Sequence, residues 1–316
     1  MLGRISGDDG RLSSMFRVVI VGDRDSGKTT FLGLLYAAQV RSGSDKADDF
    51  RFHADLESME AITLLFQLLM SGSFPDPVTK QEINKIGFQI GHRRTGLGFL
   101  RARKWAPEAF ATVRFALLRT LDQDISRLRM GSAVGGGKLN DILDSDAVTI
   151  VVDSTKLVVK GERPEIGPMS RYDGVVEELL TLLRRMRDPS GRLLLHPIFL
   201  FSKFDRVSPK VLRSVNVAAE PPRVEKIGAR VAYAEAILAH NLPKTLARVQ
   251  ARERGGLRFA KPAYFFSRVR TDEAAPGQPE RIRLRRDELA GWEPDYSRDE
   301  YLAFLVYLED IVRSGE

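Results

Sequence analysis

Apolar residues along the chain fall into two alternating kinds of run. Short uninterrupted runs rich in β-branched and aromatic residues predict buried strands: Phe16 to Val21, "DAVTIVVDS", "HPIFLFSKFD" and "PAYFFSRVR". Between them, apolar positions recur three and four apart and predict helices. These are Thr29 to Val40, about Asp55 to Met70, about Arg171 to Met186, and the closing "SRDEYLAFLVYLEDIVRS". The second carries Leu56, Met59, Leu65, Phe66 and Leu69 at helical spacing, behind an Asp/Ser-rich start suited to capping. Two further extended segments, "KIGFQIG" and "ATVRFALLRTL", flank the basic connection "HRRTGLGFLRARKWAPEAF". Val224 to Arg254 predicts one or two longer helices around Pro243, and "DEAAPGQPERIRLRRDEL" a polar insertion. "SGSFPDPVTKQ", "SAVGGGK" and "DPSG" are loops or turns. Strands alternating with helices imply an α/β fold, three-layered, with a mostly parallel sheet covered by helices on both faces.

At the first strand-to-helix junction the sequence reads Gly22-Asp23-Arg24-Asp25-Ser26-Gly27-Lys28-Thr29, the phosphate-loop pattern G-x-x-x-x-G-K-[ST]. Each piece has a physical task. The glycines let backbone N–H groups turn inward as an anion nest, and the helix N-terminus adds its dipole and orphan donors. Lys28 is the candidate bridge between β- and γ-phosphate oxygens, and the Thr29 hydroxyl the candidate Mg²⁺ ligand. Gly22, Asp25, Ser26, Gly27 and Thr30 complete the candidate phosphate contacts. The pattern arises by chance in roughly one chain of this length in a hundred. A preceding strand and a following helix make it rarer still, so it identifies a P-loop nucleotide site.

Which nucleotide must be read at the ends of later strands, because open α/β sheets bind ligands outside their carboxyl ends. "FLFSKFD" places Ser202, Lys203, Phe204 and Asp205 at such an end. Here the chain resembles the Ras-like P-loop GTPases of the translation-factor-related class, whose guanine-recognition motif is [N/T]-K-x-D. The resemblance implies that Asp205 accepts from the guanine N1 and N2 donors while the Lys203 stem lies over the base. Ser202 departs from the usual Asn or Thr. "YFFSRV" places Ser267-Arg268-Val269 after the last strand, similar to the short element whose backbone N–H meets the guanine O6. By the same resemblance, Thr79, ahead of "KIGFQIG", is the candidate Thr for Mg²⁺ and the γ-phosphate. Asp122 is the candidate Mg²⁺-associated acid, with Asp124 as competitor and Asp153 as a structural acid that is also a third candidate. The spacing from Leu65 to Thr79 is similar to prokaryotic stand-alone or double-GTPase proteins.

Two family features are missing. Neither Asp122 nor Asp124 is followed by the expected Gly, and Ser126 occupies the place of the water-orienting Gln. Hydrolysis is therefore expected to be slow or to use another group: Gln123, or an arginine acting in cis such as Arg24, Arg93, Arg94, Arg101 or Arg103. The resemblance implies GTP or GDP and Mg²⁺ as ligands and a protein partner or activator that reads the switch. The alternatives are a non-hydrolysing nucleotide-binding scaffold and a P-loop ATPase acting on nucleic acid.

Composition narrows the setting. At 316 residues, with 43% hydrophobic and 29% charged, the chain matches an ordinary globular protein. We expect a lead-in over residues 1–15 and one GTPase-like domain over 16–316, with insertions at about 41–78, 93–110, 215–255 and 271–290. No cysteine is present, which excludes disulfides, thiolate zinc sites and a Cys nucleophile, and fits a cytoplasmic location. His53, His92, His196 and His240 have no metal-ligand spacing. No apolar run reaches the length of a membrane span, and the first residues carry no apolar signal segment. The net charge is +7, with 36 arginines against 13 lysines, so anionic partners are favoured. "HRRTGLGFLRARKW" and "RIRLRR" suit nucleic-acid phosphates, acidic headgroups or a protein partner equally, or simply a solvated surface.

Overall fold

The computed structural model describes residues 15–40, 51–76, 79, 83, 85–93, 108–118, 125–126, 142–161, 167–187, 193–251, 256–273, 277–287 and 291–314. Phe16–Gly22 forms β1, and its near-continuous burial is what a strand covered on both faces requires. It runs parallel to β4 (Glu108–Leu117) on one side and to β5 (Ala147–Asp153) on the other, with Val18 level with Phe115 and with Ala147. Beyond β5 lies β6 (Leu194–Ser202), parallel, and beside β6 lie β7 (Arg258–Phe259) and β8 (Ala263–Phe266), also parallel. On the other flank β4 pairs antiparallel with β3 (Lys85–Arg93), and β3 with β2 (Arg51–Ala54). The order is thus β2-β3-β4-β1-β5-β6, with β7 and β8 both beside β6. The chain is mixed α/β with a mostly parallel sheet.

Alternation along β1 assigns the two faces. Val18 and Ile20 share a core with α1 (Lys28–Val40), α2 (Met59–Met70) and α7 (Arg298–Ser314), through Phe31, Leu35, Leu65, Leu69 and Phe304. Val19 and Val21 face a second core built with α3 (Pro168–Met186), α5 (Ile227–Asn241) and α6 (Pro243–Gln250), through Val176, Leu180, Ile237 and Leu246. The short α4 (Pro209–Ser214) follows β6. Gly33 lets α1 and α2 approach closely, because a Cβ there would lie 2.5 Å from Leu69 Cδ1.

Several elements differ from the sequence expectation. Helix α2 starts at Met59 rather than near Asp55, and Leu56 sits in the turn before it, 91% exposed. As expected, the stretch around Pro243 holds two helices meeting at Leu242, with Pro243 in the first turn of the second, where its missing N–H costs nothing. The polar insertion holds β9 (Thr271–Asp272), β10 (Arg281–Ile282) and β11 (Leu284–Asp287), with β12 (Gly291–Pro294) following; β9 pairs with β10 and β11 with β12, both antiparallel. Among the described residues, no helix is long and apolar enough to cross a membrane.

Candidate functional site

Strand β1 has neighbours reached by opposite crossovers, so the sheet opens a crevice at its carboxyl end. The loop from Gly22 to Lys28 occupies that crevice. Asp25 and Gly27 both adopt positive φ, 58° and 85°, and Gly27 is the residue type that accepts this without strain. A Cβ on Gly22 would lie 2.6 Å from Ser26 Oγ and 3.0 Å from Val151 Cβ, so the loop can pass over β5 only with glycine there. Helix α1 engages at once, Phe31 N–H donating to the Gly27 carbonyl at 2.8 Å. Lys28 is buried, and its ammonium donates to the carbonyls of Gly22 and Asp23, both at 2.7 Å. The loop therefore fixes its own cation before any anion arrives.

Asp23 puts a carboxylate into this loop, and Lys156 answers it. Lys156 closes a short 3₁₀ turn, Ser154–Lys156, directly after β5, and its ammonium forms a hydrogen-bonded ion pair with Asp23 Oδ2. Burial pushes the Asp23 carboxyl up. The Lys156 hydrogen bond, the Arg24 N–H and the charges of Lys156 and Lys28 outweigh it, holding Asp23 below its ordinary value. Arg24 and Asp25 project outward, their side chains mostly exposed, with Arg24 Nε 3.7 Å from Asp25 Oδ2.

The far end of the crevice is built where β6 and β8 finish. Lys203 takes a left-handed conformation, φ 51°, and its ammonium reaches Asp153 Oδ2 at 2.7 Å. Asp153 also accepts from Thr155 N and Oγ1, at 3.1 and 2.7 Å. It thus caps the turn and anchors Lys203, the work of a structural acid. Asp205 Oδ1 accepts from Val269 N at 3.2 Å, and Phe204 N donates to the Ser267 carbonyl at 3.0 Å. The two strand-end loops are thereby laced together. Ser267 Oγ bonds the buried Tyr301 hydroxyl at 2.6 Å, and burial raises that phenol far above its ordinary range. The N–H groups of Ser267, Arg268 and Val269 are all donated within the fold, to Phe201 O, Ser297 Oγ and Asp205 Oδ1. The Arg268 side chain turns aside to pair with Glu220.

A cleft of about 670 Å³ joins the two ends, within the size range of small-molecule sites. Of the residues expected from sequence, it is lined by Asp25, Ser26, Gly27, Lys28, Thr29, Thr30, Lys203, Asp205 and Ser267, with Arg24 and Val269 beside them. Gly22 is not in the lining; its carbonyl accepts from the Lys28 ammonium. Thr79 is buried, with its N–H on Asp76 Oδ1 at 2.7 Å, and is not brought to this lining. Asp122, Gln123 and Asp124 lie outside the described residues, as do Arg94, Arg101 and Arg103, while Arg93 ends β3. His240 bonds the Val159 carbonyl region at 3.2 Å, and among the described residues no cluster of three His, Cys, Asp or Glu could hold a metal. The lining's side-chain oxygens belong to Thr, Ser, Asp, Glu and Tyr, hard atoms of the kind Mg²⁺ takes, and they stand beside the cations Arg24, Lys28, Lys203 and Arg206. Sequence reasoning did not anticipate Lys156, Arg206, Glu280 or Tyr301; each acts across a long sequence separation and carries no local motif.

No protein-family model and no curated protein matches the chain. Among solved structures it is similar to the S. cerevisiae Ski7 GTPase-like domain, bound to GDP and inorganic phosphate, with 14% identity and a TM-score of 0.32. That match covers 79% of this chain and 43% of the other, so the chain spans less than half the length of the structure it matches. A likeness at this level leaves any functional reading to rest on the cleft itself.

Proposed function

We propose that the chain is a P-loop, Ras-like guanine-nucleotide-binding protein that binds GTP and GDP and hydrolyses GTP slowly. One observation carries the reading: a single cleft is lined by both the Lys28/Thr29 loop and the Lys203/Asp205 pair. The loop offers a cation and a helix N-terminus, which is the chemistry of a polyphosphate site. The far end offers a fixed carboxylate, an acceptor for paired N–H donors on a base edge. In this reading Lys28 is the γ-phosphate contact and Thr29 the Mg²⁺ ligand, with Asp122, outside the described residues, as a further candidate, while Thr79 lies away from the cleft lining. Bound Mg²⁺ would supply charge neutralisation at the β- and γ-oxygens. Base recognition rests on Asp205 and the Lys203 stem, because the Arg268 N–H would have to leave Ser297 Oγ to reach a base carbonyl.

The test is the affinity of nucleotide-stripped protein for GTP, GDP and ATP with and without Mg²⁺, followed by phosphate release. Mg²⁺-dependent preference for GTP with slow release is the expected result. Asp205→Asn should weaken GTP about a hundredfold while leaving ATP nearly unchanged, since one acceptor becomes an opposed donor and the other loses its charge, together about 3 kcal/mol. Binding without release would favour the scaffold form of the reading, and preference for ATP would overturn it.

A further inference from the structure

The rim of the cleft at its β6 end is completed by a segment that no motif announces. Glu280, just ahead of β10, lines the cleft beside Arg206. The Arg206 guanidinium pairs with Glu280, donates to Thr271 Oγ1 at 3.0 Å, and lies 3.7 Å from Asp205 Oδ2. The other Asp205 oxygen accepts the Val269 N–H. The carboxylate is therefore held from both sides, by a strand-end amide and by a guanidinium whose own place is set by β9 and by Glu280. Nor does Glu280 hang from a loose tip. Directly after it, Ile282 N–H donates to the Gly72 carbonyl at 2.8 Å, Arg281 reaches the Ser71 carbonyl at 3.1 Å, and Ile282 is buried in the core shared with α1 and α2.

We propose that Glu280 and Arg206, 74 positions apart, are a positioning pair for base selection. Glu280 orients the planar Arg206 fork, and Arg206 fixes the carboxylate plane of Asp205 so that both oxygens meet paired donors of one base edge. The inference rests on the guanine reading above and adds to it a specificity device supplied by the 271–287 insertion. A carboxylate free to rotate about its terminal torsion accepts one donor well and two poorly. The pair is partly exposed, 35% and 40%, so its effect is modest and sensitive to salt.

The experiment compares GDP, ADP and inosine diphosphate, which lacks only the 2-amino group, on the full nucleotide-stripped chain at low and high salt. The wild type should prefer GDP to inosine diphosphate, with a preference that falls as salt rises. Glu280→Gln should cut that preference about fivefold at low salt, leave the affinity for inosine diphosphate nearly unchanged and remove the salt dependence. Glu280→Asp should restore part of it. Arg206→Lys, which keeps the charge and loses the fork, should resemble Glu280→Gln. An unchanged preference in both variants, or an equal loss for all three nucleotides, would overturn the proposal. A wild type that does not distinguish GDP from ADP would overturn the guanine reading, and this proposal with it, before any variant is made.

Discussion

At the scale of single residues, the loop proposed to hold phosphate carries a carboxylate of its own. Asp23 would repel a polyphosphate, and Lys156 cancels it from the end of β5. Because the folded carboxyl titrates below its ordinary value of 3.8, it stabilises the fold fully above that value and ceases to as pH falls through the lower folded one. Lys156→Met should raise the Asp23 midpoint, visible in the carboxyl carbon shift during an acid titration. It should also weaken triphosphate binding, about threefold at low salt and less at high salt, because the pair is partly exposed and screened. A binding constant unmoved at low salt would mean that Asp23 exerts no field on the phosphates. The loop itself was legible because its glycines, Lys28 and Thr29 fall in one short stretch between strand and helix. Lys156 and Asp23, 133 positions apart, meet only because β1 and β5 run side by side, which no local pattern encodes.

At the scale of elements, α6 shows how one helix is started by another. Its N-terminal neighbour Leu242 provides no side-chain cap. Asp173 of α3 supplies one instead, accepting from Lys244 N at 3.0 Å and Thr245 N at 2.8 Å, while its carbonyl takes the Thr245 hydroxyl. Asp173 is 2% exposed and Thr245 is fully buried, so removing the carboxylate leaves the Thr245 amide without an acceptor. Asp173→Ala should cost about 2 kcal/mol, read as a lower urea midpoint at unchanged slope, and Asp173→Asn, which keeps one acceptor, less. The buried strands β1, β5 and β6 and the closing α7 were legible, since parallel strands read as unbroken apolar runs and a surface helix as a stripe. Strand β2 and the pairs β9–β10 and β11–β12 were not. They are two to four residues long, too short for a period to register, and their pairing is set by what they lie against.

For the whole molecule, the β6/β8 end of the cleft depends on an ion pair beneath it. Arg230 of α5 meets Glu300 of α7 through two hydrogen bonds, 2.9 and 2.6 Å, and also donates to the carbonyls of Pro222 and Tyr264. Glu300 accepts the Phe266 N–H at 3.0 Å, and the guanidinium stacks 5.0 Å from the Phe266 ring centre. Two helices and β8 are joined at the point from which Ser267 and Val269 enter the cleft. Breaking one side of such a buried pair costs about 3–5 kcal/mol, whereas replacing both sides by apolar residues of similar size can be neutral. Glu300→Gln should therefore destabilise by that amount, while Arg230→Met with Glu300→Leu should recover most of the loss. The two variants separate stability from positioning. If the pair also sets β8, the double variant regains its unfolding midpoint but still binds GDP more weakly, since the Phe266 N–H has lost its acceptor. Nucleotide at a hundred times its Kd adds about 2.7 kcal/mol to any folded binder, so denaturation with and without GDP reports both quantities on one sample. Recovery of midpoint and of the full GDP increment together would confine Arg230 and Glu300 to holding the fold.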